Sequence, residues 1–349
     1  MRLAFVAATT IHHENHEAAA RRHLLATALA ERGHEVTCFT APWWEGDFDS
    51  FEQDDITYRA VDAGRAPVLT ARLASAIRAF APDVVHLAGG NPWWTAGAHL
   101  GARLARAGFL VEWYEPPEPA GAVGDWLRRR ALRGAGAVVT PSQTVQTAVR
   151  ELGVTEDSVS VVPTGIDLDR IREIEPADGG DIVFSRRLDE GANLETLLLA
   201  LAEFREYDWN ATVVGDGPRR QAYERQARDL RIEDRVEFVG ELSVEDRVAL
   251  FKNAHVYVHT AEYTPFATDL LRALAAGCVS IVEYHEASSA HELVVHEDRG
   301  FTATSPEELT ERLATAGQLP AKDFDESFRT NDREAFMEAY LDRYRALGA

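Results

Sequence analysis

Lysine is almost absent from this 349-residue chain: Lys252 and Lys322 are the only two, and arginine supplies the rest of its 36 basic residues. Against 57 acidic residues this leaves a formal charge of -21. A nucleic-acid partner is thereby excluded, because the surface would repel a phosphate backbone and has little basic patch to release its counterions. An acid-rich, lysine-poor surface is the composition of halophilic proteins, where concentrated salt screens self-repulsion. Cysteine is equally scarce. Cys38 and Cys278 stand far apart, each in an apolar run, so buried free thiols in a reducing compartment are expected. No apolar run approaches the ~20 residues needed to span a bilayer. The opening M-R-L-A-F-V-A-A is too short for a secretory hydrophobic region. A soluble, cytoplasmic protein is expected.

Also missing is a G-x-G-x-x-G loop after the first strand. Residues 3–8 lead instead into His12, His13, Asn15 and His16. Their spacing fits no standard metal site and no cysteine or carboxylate pattern completes it, so no metal is expected.

What the chain does have is alternation. Short apolar runs at 3–8, 34–40, 56–61, 83–87, 109–113, 137–140 and 159–162 read as buried strands, separated by helical patterns. A stretch with Pro176, Asp178, Gly179 and Gly180 reads as a linker, after which strands at 181–184, 211–214, 236–239, 256–259 and 279–281 resume the series. The expected fold is α/β, with two doubly wound Rossmann-like domains facing across a cleft, over 1–168 and 180–329. A terminal helix at about 330–349 is expected to pack back on the first.

Residues 256–281 form the clearest unit: an apolar strand, a turn at Thr264 and Pro265, a helix with Phe266, Leu270, Leu271 and Leu274 on one face, a stop at Gly277, and a new strand. In open α/β sheets ligands sit over the carboxyl ends of strands, where helix N-termini offer free N–H groups. The turn is therefore a candidate phosphate contact. Gly89 precedes Trp93 and Trp94 in a similar turn, and such an aromatic pair serves either to stack on a sugar or to fill a core. Trp126 with Arg128, Arg129, Arg130 and Arg133 is the most basic segment of the chain, and it reads equally as a solvated arginine face or as a peripheral contact with anionic lipid.

The order of E-R-G-H-E-V-T (31–37), D-V-V-H (83–86), V-V-P-T-G-I-D (161–167), R-R-L-D-E-G-A-N-L-E-T-L-L (186–198), V-V-G-D-G-P (213–218), R-V-E-F-V-G (235–240) and A-L-A-A-G (273–277) resembles the retaining GT-B glycosyltransferases of family 4 over nearly the whole chain. The resemblance implies a nucleotide-sugar donor as substrate, no cofactor, and a glycan or lipid-linked acceptor held by the first domain. The implied reaction is transfer of a hexose-type sugar, in the cytoplasm or at the inner membrane surface. It places Arg187 at the phosphate-binding arginine, with Arg186 beside it. Gly215 and Gly217 would shape the turn under the nucleotide, with Val239 and Gly240 near the base. Glu262, Pro265, Phe266, Asp269 and Arg272 would complete the donor side, and His12, His13, Gly89, Trp93 and Tyr114 the acceptor side. The chain departs from the family at charged positions: its lysine falls on Ala192, its paired glutamates on Thr264 and Arg272, and its first-domain histidine on Tyr114. Two readings follow, a rebuilt transferase site or a decayed GT-B protein that binds sugar, nucleotide or a partner.

Overall fold

The computed structural model describes residues 1–14, 16–46, 48–61, 66–155 and 158–349; Asn15 of the histidine loop lies outside them. The chain divides into two compact units, Met1–Gly165 with Glu334–Ala349, and Ile166–Arg333.

The first unit carries β1 (Arg2–Val6), α1 (Glu17–Glu31), β2 (Glu35–Thr40), β3 (Ser50–Gln53), β4 (Ile56–Ala60), α2 (Ala66–Phe80), β5 (Val84–Ala88), α3 (Pro92–Ala105), β6 (Gly108–Glu112), α4 (Gly121–Arg133), β7 (Ala137–Thr140), α5 (Gln143–Arg150) and β8 (Val159–Val161). Its sheet runs β3-β4-β2-β1-β5-β6-β7-β8, parallel apart from the antiparallel β3–β4 pair. Along β1 the side chains alternate between faces: Ala4 and Val6 join the core under α2 and α3, while Leu3 and Phe5 join the core under α1.

The second unit carries α6 (Leu168–Glu173), β9 (Ile182–Ser185), α7 (Leu194–Glu203), β10 (Ala211–Val214), α8 (Arg220–Asp229), β11 (Val236–Gly240), α9 (Val244–Asn253), β12 (Val256–His259), α10 (Thr268–Ala275), β13 (Val279–Glu283), β14 (Gly300–Ala303) and α11 (Pro306–Ala316). Its strands pair in parallel in the order β11-β10-β9-β12-β13-β14. Ile182 and Phe184 enter the core beneath α7 and α11, and on the opposite face Tyr257 packs edge-on to Phe251 of α9 at 5.3 Å between ring centroids.

The terminal helix α12 (Arg333–Ala346) returns to the first unit, where Phe336, Met337, Tyr340 and Tyr344 are buried in the α1-side core. Its docking is polar as well as apolar. Arg21 of α1, 1% exposed, donates from Nε to Glu112 Oε1 of β6 at 2.7 Å and from Nη2 to the Tyr340 hydroxyl at 2.7 Å. That hydroxyl donates in turn to Glu112. Burial alone would raise the Glu112 carboxyl, yet the Arg21 guanidinium and the His86 ring hold it well below the usual carboxylate range.

Two strands escaped the sequence reading. All four residues of β3 are exposed, so no apolar run marks it; its pairing follows from the turn at Asp54 and Asp55, both left-handed at φ 54 and 57, as a two-residue hairpin requires. The edge strand β14 is four residues long, and only Ala303 is buried.

Candidate functional site

In the second unit the strand order reverses between β9 and β12, and the loops that leave their carboxyl ends diverge there. An open groove of about 500 Å³ lies at this point, lined among others by Arg186, Asp189, Glu190, Arg219, Glu262 and Tyr263. In the adjoining β10–α8 turn, Gly215 and Gly217 have φ 125 and 155. A Cβ at Gly215 would collide with the carbonyl of Arg186, and one at Gly217 with the carbonyl of Leu188. Only glycine lets the β10–α8 turn lie against the loop that carries Arg186.

Arg186 donates from Nη1 to Thr264 Oγ1 at 3.0 Å and from Nη2 to the carbonyl of Tyr263 at 3.2 Å. Its Nε–H, and that of Arg219 on the same groove, are buried and have no hydrogen-bond partner among the described residues. Both side chains line the one opening, where two guanidinium groups can meet an anion's charge. Sequence reasoning passed over Arg219, although a P-R-R run directly after G-D-G offered the signal.

Thr264 is buried and contacts His259 Nε2 at 3.0 Å through its hydroxyl. Burial, then the charge of Arg186, lowers the His259 pKa to about 3. Folding therefore keeps this ring neutral while the unfolded chain takes up a proton near 6.5. Its contribution to stability is present in full above about pH 6.5 and is lost as pH falls from there towards 3. The difference in urea midpoint between the native chain and His259→Asn is expected to shrink across that window; a constant difference would disprove a buried neutral ring.

Beside the groove, Asp269 accepts from Ser185 Oγ at 2.8 Å, from Arg247 Nη1 at 2.6 Å and from Arg272 Nη1 at 2.8 Å. Burial would raise this carboxyl, but Arg272 and Arg247 hold it low. One carboxylate between two guanidinium groups leaves one net positive charge. Arg247, on α9, carried no sequence signal because its role arises only from the packing of α9 on α10. The preceding turn is fixed by Ser289, whose Oγ donates to the carbonyls of Thr264 and Pro265 at 3.0 and 2.7 Å.

The first unit reverses its strand order between β1 and β5. The histidine loop and the Gly89 turn thus leave neighbouring strand ends, with Tyr114 following adjacent β6. His12 stacks on Trp43 at 4.7 Å and reaches the Tyr58 hydroxyl at 3.2 Å. His13 Nδ1 accepts from the Thr10 backbone N–H at 3.1 Å. Gly89 is needed for packing, since a Cβ there would stand 2.6 Å from the Trp113 ring. Trp94 is buried and Trp93 partly so, both against the α2–α3 core. Tyr114 is 6% exposed and donates to Glu17 Oε2 at 3.3 Å.

Two family descriptions match successive parts of the chain: Glycosyltransferase Family 4 over residues 22–170 and Glycosyl transferases group 1 over residues 166–335. The chain belongs to the family 4 glycosyltransferases. It is similar to the 2-deoxystreptamine glucosyltransferase of Streptomyces kanamyceticus, 28% identical over 171 residues, which are 45% of this chain and 43% of that one. The match thus spans less than half of that relative. Among solved structures, a glycosyltransferase from Rickettsia africae superposes with TM-score 0.83 at 17% identity, covering 99% of this chain and 98% of that one. Anabaena HepE in complex with UDP gives TM-score 0.79 at 17% identity, covering 99% and 100%. These likenesses show the GT-B fold.

In this family member the residues expected on the donor side separate into distinct places. Arg186 and Glu262 line the groove. Arg187 is exposed and outside the lining, because successive residues leaving a strand point to opposite sides. Ala192, where the family's lysine would fall, is fully buried, and its carbonyl accepts from Thr260 Oγ1 at 3.0 Å. Arg272 is engaged by Asp269 rather than held clear for phosphate. Phe266 is buried, and Val239 and Gly240 end β11 one strand beyond β10. On α4, Arg128 belongs to neither a solvated nor a lipid-facing surface: it is 7% exposed and donates from Nε to the carbonyl of Gly90 at 2.7 Å. Trp126 is 59% exposed and lines an open groove with Arg129, Arg130 and Arg133. No helix among the described residues is long and apolar enough to cross a membrane. Asp54, distant in the chain, comes near His12 of the histidine loop and His23 of α1.

Proposed function

We propose that this glycosyltransferase is a retaining enzyme that moves a hexose-type sugar from a nucleoside-diphosphate sugar to a glycan or lipid-linked acceptor. The observation that carries the reading is the pair of guanidinium groups, Arg186 and Arg219, that line one groove at the strand-order reversal. As the bond between the sugar's anomeric carbon and the phosphate oxygen breaks, negative charge grows on the diphosphate, and donors already fixed in place stabilise it most. The net charge left by Arg247, Arg272 and Asp269 adds to that field. UDP in Anabaena HepE, a structure of the same fold, supports a nucleotide donor.

A second reading rests on Thr264 and Arg272. Neither can supply the carboxylate that the family pattern implies at its position, and a chain that binds donor without transferring it fits that loss. Calorimetry with nucleoside diphosphates and their sugars in high salt, followed by a product assay, separates the two. Binding with turnover supports the enzyme, binding alone supports the decayed protein, and no binding of any nucleotide defeats both. Flotation with anionic vesicles, reduced by Trp126→Ala, would support an acceptor at a lipid surface.

A further inference from the structure

The fold gathers three metal-ligating side chains from three separate elements of the first unit: His12 in the loop after β1, His23 on α1, and Asp54 at the tip of the β3–β4 hairpin. One ligand atom from each lies within 4.8 Å of the others, and His23 Nε2 stands 3.8 Å from Asp54 Oδ2. We propose that His12, His23 and Asp54 form a binding site for a divalent transition metal of the zinc class. Bonds of about 2.0–2.2 Å from a tetrahedral zinc ion set its nitrogen and oxygen ligands roughly 3.3 Å apart. The cluster therefore needs to close by about an ångström or a little more, within reach of side-chain rotation.

Two features prepare the site. The His12 ring is held between the Trp43 face at 4.7 Å and the Tyr58 hydroxyl at 3.2 Å, the kind of neighbouring support that fixes a ligating imidazole. Asp54 sits on a two-residue turn whose left-handed backbone fixes its direction. Two imidazoles and one carboxylate suit zinc, nickel or copper, whereas magnesium and calcium prefer all-oxygen sets. The cluster is open to water, with the Asp54 side chain 47% exposed and that of His23 25% exposed, so a fourth position is available to a water molecule. A bound ion ties the exposed β3–β4 hairpin to α1 and to the loop at the strand-order reversal. The donor groove plays no part in the proposal.

The test uses the full chain after EDTA treatment and dialysis, titrated with zinc chloride by calorimetry and followed by thermal unfolding. One zinc per chain, a raised Tm, and at least a tenfold loss of affinity in both His23→Gln and Asp54→Asn are expected, with no response to magnesium chloride. Asparagine is among the residues favoured at left-handed turn positions, so Asp54→Asn keeps the hairpin. Cobalt in place of zinc should give visible absorption bands of tetrahedral type that vanish in both variants. Absence of zinc binding, or equal binding by the native chain and both variants, overturns the proposal.

Discussion

Replacing Glu112 with alanine is expected to destabilise the first unit by about 3–5 kcal/mol, the cost of removing one partner of a buried ion pair and leaving the other charge unpaired. The expectation rests on the geometry around Arg21. Its guanidinium is 1% exposed and spends its N–H groups on Glu112, Thr164, the carbonyl of Val162 and Tyr340. Without the carboxylate, a cation remains in a dry site beside Phe336 and Tyr340. Tyr340→Phe removes one hydroxyl and should cost roughly 1–3 kcal/mol. The double variant Arg21→Met with Glu112→Leu should lose less than Glu112→Ala alone, because no orphaned charge remains. Six of the seven tryptophans lie in this unit, so urea unfolding followed by their fluorescence reports it. If Glu112→Ala unfolded at the native midpoint, the pair would have no structural weight.

Arg186→Ala is expected to weaken nucleoside-diphosphate binding by roughly 10- to 150-fold, corresponding to the ~1.5–3 kcal/mol of a charge-assisted hydrogen bond. Arg219→Ala should act in the same direction. Arg187→Ala should change affinity by less than about threefold, the sense expected of an exposed surface charge. This ordering distinguishes the groove from a field effect of general positive charge, under which the three substitutions would weaken binding alike. The Asp269 cluster adds a constraint on any return to the family pattern. Arg272→Glu would set a second carboxylate beside Asp269 with Arg247 as the shared cation, so that change should weaken the turn as well as alter the charge. Thr264→Glu would place an anion against Arg186 and neutralise the charge it brings to the groove.

Much of this was legible in the sequence, and the reasons differ by element. The parallel strands at 84–88, 182–185 and 256–259 announced themselves as apolar runs because both faces of such a sheet are covered. Ser142 caps α5, its Oγ accepting from the Val145 N–H at 3.3 Å. Both cysteines are buried and free. By contrast β3 gave no signal, since an exposed hairpin strand needs a turn and a partner more than an apolar pattern.

The residues of the groove show where local reading stops. Motif spacing brought attention to positions 186 and 187 together, and neither propensity nor charge could say which of two adjacent arginines turns inward. Register along β9 and the two glycines beneath it decided for Arg186. His259, Arg247 and Asp54 are farther removed from any motif: each acquires its partners from a segment at least five and as many as 42 residues away. The sequence by itself determined the α/β series, the two-part division and the family, because those are written in periodicities and short motifs that each segment carries alone. Which side chains meet was decided only by the tertiary structure, since strand order places residues distant in the chain at one sheet edge, and proximity of charge is a property of that edge.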